Sequence, residues 1–381
     1  MKKLLSKLAP ALAGICAGLL IGYFGARSLG VFIPAQASLW QSLLIYGIIL
    51  AAAMLSLFLH ILVHEAGHLA MGLLCGYRFV SFRVFNFTIV RDKGKLVRKK
   101  FKLVGTVGQC LMSPPEYAGG SFPFVLYNLG GPAMNFVFCG IFFAAFLLAS
   151  NAASPASAIF MIMAIFGAFM GLFNIIPQKI GGVANDGYNA FVLGRNETAR
   201  RAFWLQLRVN AMVTQGVRYR DLPEEWFRVP DPGSWNDPIS VIASLGRYSY
   251  LLDRMELKEA GDLAGKLLHS ANNMLGLHKN ELRCELLFHE LIGGCRKAEV
   301  ERLHTAELKK YIKATSPYLS RQRLLYAYAR LFLDDPAAAG AARRRFEDAC
   351  SHTPFSGEIP GERDLLALVD DIASGRPLYS K

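Results

Sequence analysis

Two histidines and a glutamate lie close together in an apolar part of the chain, in the order His64-Glu65-Ala66-Gly67-His68. Positions four apart on an α-helix share one face, roughly 40° apart, so both imidazoles can reach one metal ion, and zinc is the expected ion. Glu65 can then take a proton from a water molecule at the metal and pass it to a leaving amine, as in metalloproteases. The alternative is a buried polar helix face that neighbouring helices satisfy.

The histidine pair ends one of several segments that are apolar enough to cross a bilayer. The chain has 381 residues, of which 53% are hydrophobic, and its mean hydropathy is +0.29. Such a chain is too apolar for an ordinary soluble enzyme and has room for about two domains. Runs of about 20 residues or more that suit a transmembrane helix cover roughly 8–33, 43–68, 124–150 and 158–177. We therefore predict about four spans, followed by a polar half from about residue 195.

The formal net charge of +13 is unevenly distributed. Lys2, Lys3 and Lys7 precede the first span, and a second basic group lies between spans two and three. That group consists of Arg91, Lys93, Lys95, Arg98, Lys99, Lys100 and Lys102. The positive-inside rule therefore predicts that both termini and this connection are cytoplasmic, and no nucleic-acid partner is expected. The basic connection could also contact anionic lipid of the bilayer or an acidic substrate tail, but topology determination is the simpler explanation.

The third metal ligand is expected where the fourth span returns to the cytoplasmic side. That span ends with N-I-I-P at residues 174–177, and a short loop leads to Asn185-Asp186-Gly187. Asp186 is the candidate ligand, and a fourth position left to water is the open arrangement of a catalytic zinc site. Asn-Asp-Gly alone would more often be a turn or a helix cap.

Three other residues near these motifs are expected to support the structure. Asn174 and Pro177 should break the helix and satisfy the carbonyl groups that the break leaves free. His60 continues the four-residue spacing of His64 and His68. Three histidines could hold zinc without Asp186, but we expect His60 to be a packing or supporting residue.

Three ordered motifs give a resemblance to a known family. H-E-A-G-H in one span, G-P-A-M-N at residues 131–135 in the next, and N-I-I-P followed by N-D-G resemble the site-2 protease family of intramembrane zinc metalloproteases. The resemblance covers about residues 38–194. It implies His64, His68 and Asp186 as zinc ligands and Glu65 as the catalytic acid and base.

The resemblance also implies a catalytic role for Asn135, which would face the site and hydrogen-bond the substrate or the developing oxyanion. The alternative is that Asn135 makes an interhelical hydrogen bond. Two departures are visible. The interval from Asn174 to Asp186 is longer than is usual in the family, with Gly181 and Gly182 in the extra length. The connection from about residue 77 to 122 is too short for the PDZ domain that some relatives insert.

That connection is predicted to form a β-hairpin at the membrane edge. Residues 79–90 are rich in β-branched and aromatic side chains, and residues 99–105 can pair back across the turn at Asp92-Lys93-Gly94. An edge strand there could bind an extended substrate by strand addition, as the resemblance also suggests. The alternative is a hairpin that only plugs the membrane surface.

The C-terminal half is predicted to be helical, with segments at roughly 237–272, 279–315, 320–351 and 361–375. A unit spacing near 40 residues suggests stacked helical hairpins of the tetratricopeptide kind. Concave surfaces of such repeats usually bind peptides or proteins, so a protein partner is expected, the alternative being a plain stabilising cap.

The sequence as a whole predicts a mainly α protein: a polytopic membrane helix bundle with a small β-hairpin region, followed by a soluble helical domain. The expected domains are a retained membrane anchor over 1–37, a catalytic membrane domain over 38–194, a linker over 195–236 and a cytoplasmic helical domain over 237–381. The expected function is that of a zinc endopeptidase of the bacterial cytoplasmic membrane. Its substrate would be a membrane protein or peptide precursor, cut in or beside its transmembrane segment. The alternatives are a catalytically silent membrane adaptor and, less favoured, a metal transporter.

Overall fold

A computed structural model of the chain describes residues 38–92, 94–101, 106–149, 155–180, 183–229, 235, 238–270 and 274–375. The predicted anchor over 1–37, with the first predicted span, lies outside the described residues. The described part is mainly helical, with thirteen α-helices and a small antiparallel sheet.

Three described helices are long and apolar enough to cross a membrane: α1 (Leu39–Leu74), α2 (Phe124–Ala149) and α3 (Pro155–Ile175). Large apolar side chains such as Leu44 and Leu148 lie exposed on them, as expected for surfaces that face lipid. The three helices agree with predicted spans two to four and are compatible with a membrane location.

Helix α1 is longer than the span predicted over 43–68. Its 36 residues correspond to about 54 Å, whereas the hydrocarbon core of a bilayer is about 30 Å thick. Ser38 begins the helix with a capping box, in which its hydroxyl accepts from the Gln41 amide and the Gln41 side chain accepts from the Ser38 amide. The helix ends before Gly76, whose φ of +80° suits only glycine without strain.

Helices α1 and α2 approach closely at a pair of glycines. A β-carbon on Gly67 would lie 2.2 Å from the carbonyl oxygen of Gly130, and one on Gly130 would lie 2.5 Å from that of Gly67. Neither position can carry a side chain without separating the helices. The contact brings the His64–His68 turn of α1 against the first half of α2.

Residues 78–113 contain a four-stranded antiparallel sheet made of β1 (Arg78–Val84), β2 (Phe87–Asp92), β3 (Lys95–Lys100) and β4 (Gly108–Ser113). The spatial order is β3-β2-β1-β4. A hairpin around residues 92–94 exists as β2 and β3, with Asp92 paired to Lys95. Its second strand covers Lys95–Lys100, whereas the prediction was 99–105, of which 102–105 lie outside the described residues. The strand-forming segment 79–90 is divided into two strands, because the chain reverses at Phe85-Asn86 and pairs Val84 with Phe87. Phe85 takes a φ of +55° there, which its aromatic side chain did not signal.

A two-stranded hairpin and a short helix follow α3. Strands β5 (Lys179–Ile180) and β6 (Val183–Ala184) pair with each other and lead into α4 (Asp186–Arg195). The extra length between Asn174 and Asp186 therefore contains this hairpin.

The rest of the described chain is a set of helices. They are α5 (Glu197–Thr214), α6 (Pro238–Asp253), α7 (Leu257–Ser270), α8 (Gly276–Ile292), α9 (Lys297–Leu303), α10 (Ala306–Ala314), α11 (Leu319–Ala327), α12 (Pro336–His352) and α13 (Glu358–Ala373). A π-helical turn, Tyr328–Phe332, extends α11. All of these helices except α5 contribute to one large apolar core, in which side chains such as Leu267, Phe288 and Phe346 are fully buried. Helix α5 packs Val209 and Val213 in a smaller cluster with Leu222, Phe227 and Tyr250. The tetratricopeptide-like arrangement stays a prediction.

The described residues form two compact units. The first contains residues 38–76 and Pro123–Arg195, and the second contains Tyr77–Phe122 and residues 196–375. Within the second unit the sheet is tied to helices: the Lys99 ammonium donates to the Thr353 carbonyl at 2.5 Å, and the Trp204 indole donates to that of Pro115 at 2.7 Å. The predicted linker over 195–236 contains helix α5, which makes such contacts. The predicted domain boundaries themselves stay predictions.

Candidate metal centre

His64, His68 and Asp186 come together in the first unit. The Nε2 atoms of the two histidines are 3.2 Å apart, and Oδ2 of Asp186 lies 3.0 Å from Nε2 of His64 and 3.4 Å from Nε2 of His68. Ligand atoms at about 2.0–2.1 Å from a tetrahedral zinc are about 3.3 Å from one another. The three atoms therefore already have the spacing of one face of a zinc tetrahedron, and the group can hold a metal ion.

His68 is oriented by the backbone of α2. Its Nδ1 lies 2.7 Å from the carbonyl oxygen of Tyr127, which can only accept a hydrogen bond. Nδ1 must therefore carry the hydrogen, and Nε2 of neutral His68 is left with a free lone pair that faces Asp186 and His64. A carbonyl in this position fixes both the tautomer and the ring plane of a metal-binding histidine.

His64 is in contact with Asn135 of α2. Nδ1 of His64 lies 3.0 Å from Nδ2 of Asn135, and both residues are buried. The other end of the Asn135 amide lies 3.3 Å from Nδ1 of His60. Asn135 therefore contacts one of the candidate ligands. The predicted hydrogen bond from Asn135 to a substrate stays a prediction.

Asp186 is placed by the residue before it, Asn185. The Asn185 side chain accepts hydrogen bonds from the amides of Gln178 and Tyr188, and its Nδ2 donates to the carbonyls of Phe173 and Ile176 at 2.7 Å each. Asn185 thus caps the start of α4 and at the same time binds the end of α3. These bonds hold Asp186, the first residue of α4, beside the histidines.

The carbonyl groups at the end of α3 are satisfied differently from the prediction. Asn174 does not reach them, because its Nδ2 donates to Met170 inside the helix at 3.0 Å. Asn185 and Gln178 bind the Phe173 carbonyl instead. From the sequence, a helix cap at Asn-Asp-Gly was the alternative to a ligand at Asp186; in the structure Asn185 caps the helix and Asp186 lies beside the histidines.

Gly131 lies directly beside both candidate histidine ligands. A β-carbon at this position of α2 would lie 2.6 Å from Nε2 of His68 and 2.7 Å from Nε2 of His64. Only a glycine leaves this space open next to both candidate ligand atoms. The G-P-A-M-N motif contained this glycine, but nothing in its pattern showed that it faces the histidines.

Glu65 is buried on α1, with 8% of its surface exposed, and interacts electrostatically with His68. A carboxylate in this position is close to the candidate ligands without belonging to the group of three. The predicted role of Glu65 in proton transfer stays a prediction.

Asp186 is suited to remain a carboxylate in this setting. Burial by itself raises its pKa, but the positive charge of the His68 imidazole in its protonated form, with hydrogen bonds from both histidines, holds the pKa well below the usual range. An ionised carboxylate with two imidazoles is a donor set that suits zinc.

Comparisons with family models, with curated proteins and with solved structures found no match to this chain. The support for the candidate site is its geometry: two histidines and one aspartate lie together on helices of the apolar unit.

Proposed function

We propose that this protein is an intramembrane zinc metalloendopeptidase that resembles the site-2 protease family. The observation that carries the proposal is the arrangement of His64, His68 and Asp186, whose ligand atoms have zinc-compatible spacing on helices long enough to span a membrane. The motif order and the buried glutamate beside the first ligand also support it.

The chemistry follows from the residue types. Zinc, when bound, supplies a Lewis acid that polarises the scissile carbonyl and makes water acidic enough to attack it. His64, His68 and Asp186 would hold the ion, which is the three-ligand set of a catalytic zinc site. Glu65 accepts the proton of the attacking water and delivers it to the leaving amine, so that the amine departs neutral. Gly131 keeps the space beside the ligands free.

The substrate class follows from where the ligands sit. Two ligands belong to α1, a helix of membrane length, so a peptide that reaches them must come from within the bilayer or from its surface. The peptide must also be extended there, because a helical backbone hides its peptide bonds in internal hydrogen bonds. We therefore propose cleavage in or beside a transmembrane segment of a membrane protein or peptide precursor.

We also propose where the enzyme lies in the cell and what its C-terminal helices bind. The proposed location is the bacterial cytoplasmic membrane with both termini cytoplasmic, as the distribution of lysine and arginine suggests. The C-terminal helices are proposed to bind a protein partner.

The first test is the zinc content of the detergent-purified protein, measured by elemental analysis. We expect about one zinc per chain, because a three-residue ligand set with open access binds one ion. His64→Ala and Asp186→Ala should lose most of it. Glu65→Gln should keep it, and so should His269→Ala, which alters an exposed histidine far along the chain. Wild-type protein without zinc would contradict the proposal.

The second test concerns proteolysis itself. Membrane fractions of cells that make the wild type or Glu65→Gln would be compared for new protein N-termini by mass spectrometry. New N-termini in or near transmembrane segments should appear only with the wild type. If zinc is bound but the two sets are the same, the metal site is structural and the adaptor function is favoured instead.

A further inference from the structure

A row of four buried polar groups leads from helix α3 to the candidate ligand His64. Nε2 of His60 lies 2.9 Å from the carbonyl oxygen of Met163, and Nδ1 of His60 lies 3.3 Å from the Asn135 amide. The other end of that amide lies 3.0 Å from Nδ1 of His64, whose Nε2 faces Asp186. His60 and Asn135 are both 0% exposed, so these contacts are shielded from water.

We infer that His60 and Asn135 are positioning residues that place the hydrogen of His64 on Nδ1 and so leave its Nε2 free to bind zinc. The inference rests on the proposed metal site and extends it to two residues that do not touch the ion.

The Met163 carbonyl decides which nitrogen of His60 carries a hydrogen. That oxygen can only accept, so Nε2 of His60 must carry a hydrogen. A neutral His60 then has a bare Nδ1, which can only accept from Asn135. A doubly protonated His60 would instead place a charge among apolar helices, which is costly.

The orientation of the Asn135 amide links the hydrogen position on His60 to the hydrogen position on His64. As placed, Oδ1 of Asn135 faces His60 and Nδ2 faces His64. A half-turn of the amide exchanges its oxygen and nitrogen without moving either histidine, and the hydrogen-bond partners decide between the two orientations. With a bare Nδ1 on His60, the favoured orientation points the NH₂ group of Asn135 to His60 and the oxygen to His64. Nδ1 of His64 must then donate, and Nε2 keeps its lone pair.

Packing supports the same assignment by holding the His60 ring in place. A β-carbon on Gly167 of α3 would lie 2.7 Å from Cε1 of His60, so only glycine leaves room for the ring. The ring of Phe142 contacts His60 edge-on, with ring centroids 6.2 Å apart. The His60 ring is therefore held in the helix bundle by packing, and it is linked to the candidate metal site through its contact with Asn135.

The consequence for Asn135 differs from its expected role. Both ends of its amide are engaged by histidines, so Asn135 acts on the ligand and does not bind the substrate. His60 likewise orients and does not coordinate, which separates it from the three-histidine alternative.

The test measures the zinc affinity of the detergent-purified full chain by competition with a chelator. Asn135→Leu should weaken zinc binding by about 10- to 100-fold, the range for residues that orient metal ligands. His60→Leu should weaken it less. Asn135→Asp should stay close to the wild type, because a protonated carboxyl group can donate to Nδ1 of His60 and accept from Nδ1 of His64. The matched control is Asn128→Leu, which removes another buried asparagine of α2, whose amide donates to the Phe124 carbonyl of its own helix.

A second readout reports the tautomer directly. In zinc-free protein labelled with ¹⁵N-histidine, nitrogen chemical shifts should show the His64 hydrogen on Nδ1 in the wild type and a larger Nε2–H population in Asn135→Leu. Wild-type zinc affinity in Asn135→Leu, or an equal loss in Asn128→Leu, would overturn the inference and leave the proposed function standing. Wild-type protein that binds no zinc would overturn both.

Discussion

Gly131 and His64 are so close that a β-carbon on the glycine would lie 2.7 Å from Nε2 of the histidine and 2.6 Å from its Cε1. A contact below 3 Å forces one of the two groups to move. Since His64 is held by Asn135 and by its helix, the space above Gly131 is part of the candidate metal site.

Gly131→Ala should therefore abolish zinc binding or weaken it at least tenfold, because the added methyl group displaces the imidazoles from the ligand positions. Elemental analysis and chelator competition on detergent-purified protein would measure the effect. Gly140→Ala is the matched control, since this glycine of the same helix has no atom within 4 Å of the added carbon. Equal zinc contents in the two variants would show that Gly131 is not part of the site.

Asn185→Ala should weaken zinc binding although the ligand set is intact. The substitution removes four hydrogen bonds, two to carbonyls at the end of α3, one from the Gln178 amide and one that caps α4, and so releases Asp186. We expect hydrogen exchange over residues 178–190 to become faster and zinc affinity to fall. Asn196→Ala is the control, because Asn196 also caps a helix, α5, with a bond to the Ala199 amide. It should cost a similar 1 kcal/mol or so of helix stability and leave zinc binding unchanged.

Arg323→Leu should destabilise the second unit strongly. Arg323 is 1% exposed and donates to Glu285 at 2.8 Å and to Glu362 at 2.7 Å. Its loss removes the close cation of buried Glu285 and half-buried Glu362, although Arg321 stays 3.8 Å from Glu285. Breaking a buried pair in this way typically costs about 3–5 kcal/mol. Arg363→Leu breaks an exposed pair with Glu347 and should cost less than about 1 kcal/mol. Urea unfolding followed by tryptophan fluorescence would compare them, because Trp204, Trp226 and Trp235 lie in this unit. Equal costs for the two variants would contradict the prediction.

Glu358→Gln should change the pH dependence of stability. Burial, together with the nearby carboxylates of Glu362, Glu281 and Asp253, raises the pKa of Glu358 to about 8. A carboxyl group whose pKa is higher in the folded than in the unfolded state stabilises the fold fully below about pH 4.5 and loses that contribution as pH rises towards 8.

The glutamine variant is neutral at every pH, so relative to the wild type it should gain stability between pH 5 and pH 8. A few degrees in the thermal midpoint is the expected size. Thermal unfolding at both pH values, followed by tryptophan fluorescence, is the measurement. Glu301→Gln, at an exposed position, should follow the wild type. If the thermal midpoints of the wild type and Glu358→Gln change equally between pH 5 and pH 8, the Glu358 carboxyl group does not control the pH dependence of stability.

The parts of the candidate site that depend on spacing within one segment could be predicted from the sequence. His64 and His68 meet because a helix puts residues four apart on one face, and the apolar runs predicted that α1, α2 and α3 would be helices. Asp186 was identified by its motif and by its position after a span. The turn at Phe85-Asn86 was not predicted, because a phenylalanine with a positive φ carries no turn signal.

The sequence by itself therefore determined the apolar helices, the histidine pair with its glutamate, and the helical character of the C-terminal half, since each depends on periodicity or spacing within one segment. Only the tertiary structure decided that Asp186 lies 3.0 Å from His64, that Gly131 opens the space beside both histidines, and that His60 reaches the site through Asn135. Those relationships join residues about 65 to 120 positions apart. They depend on the glycine contact between α1 and α2 and on the Asn185 bonds to α3, which arise from packing between segments and have no local sequence signal.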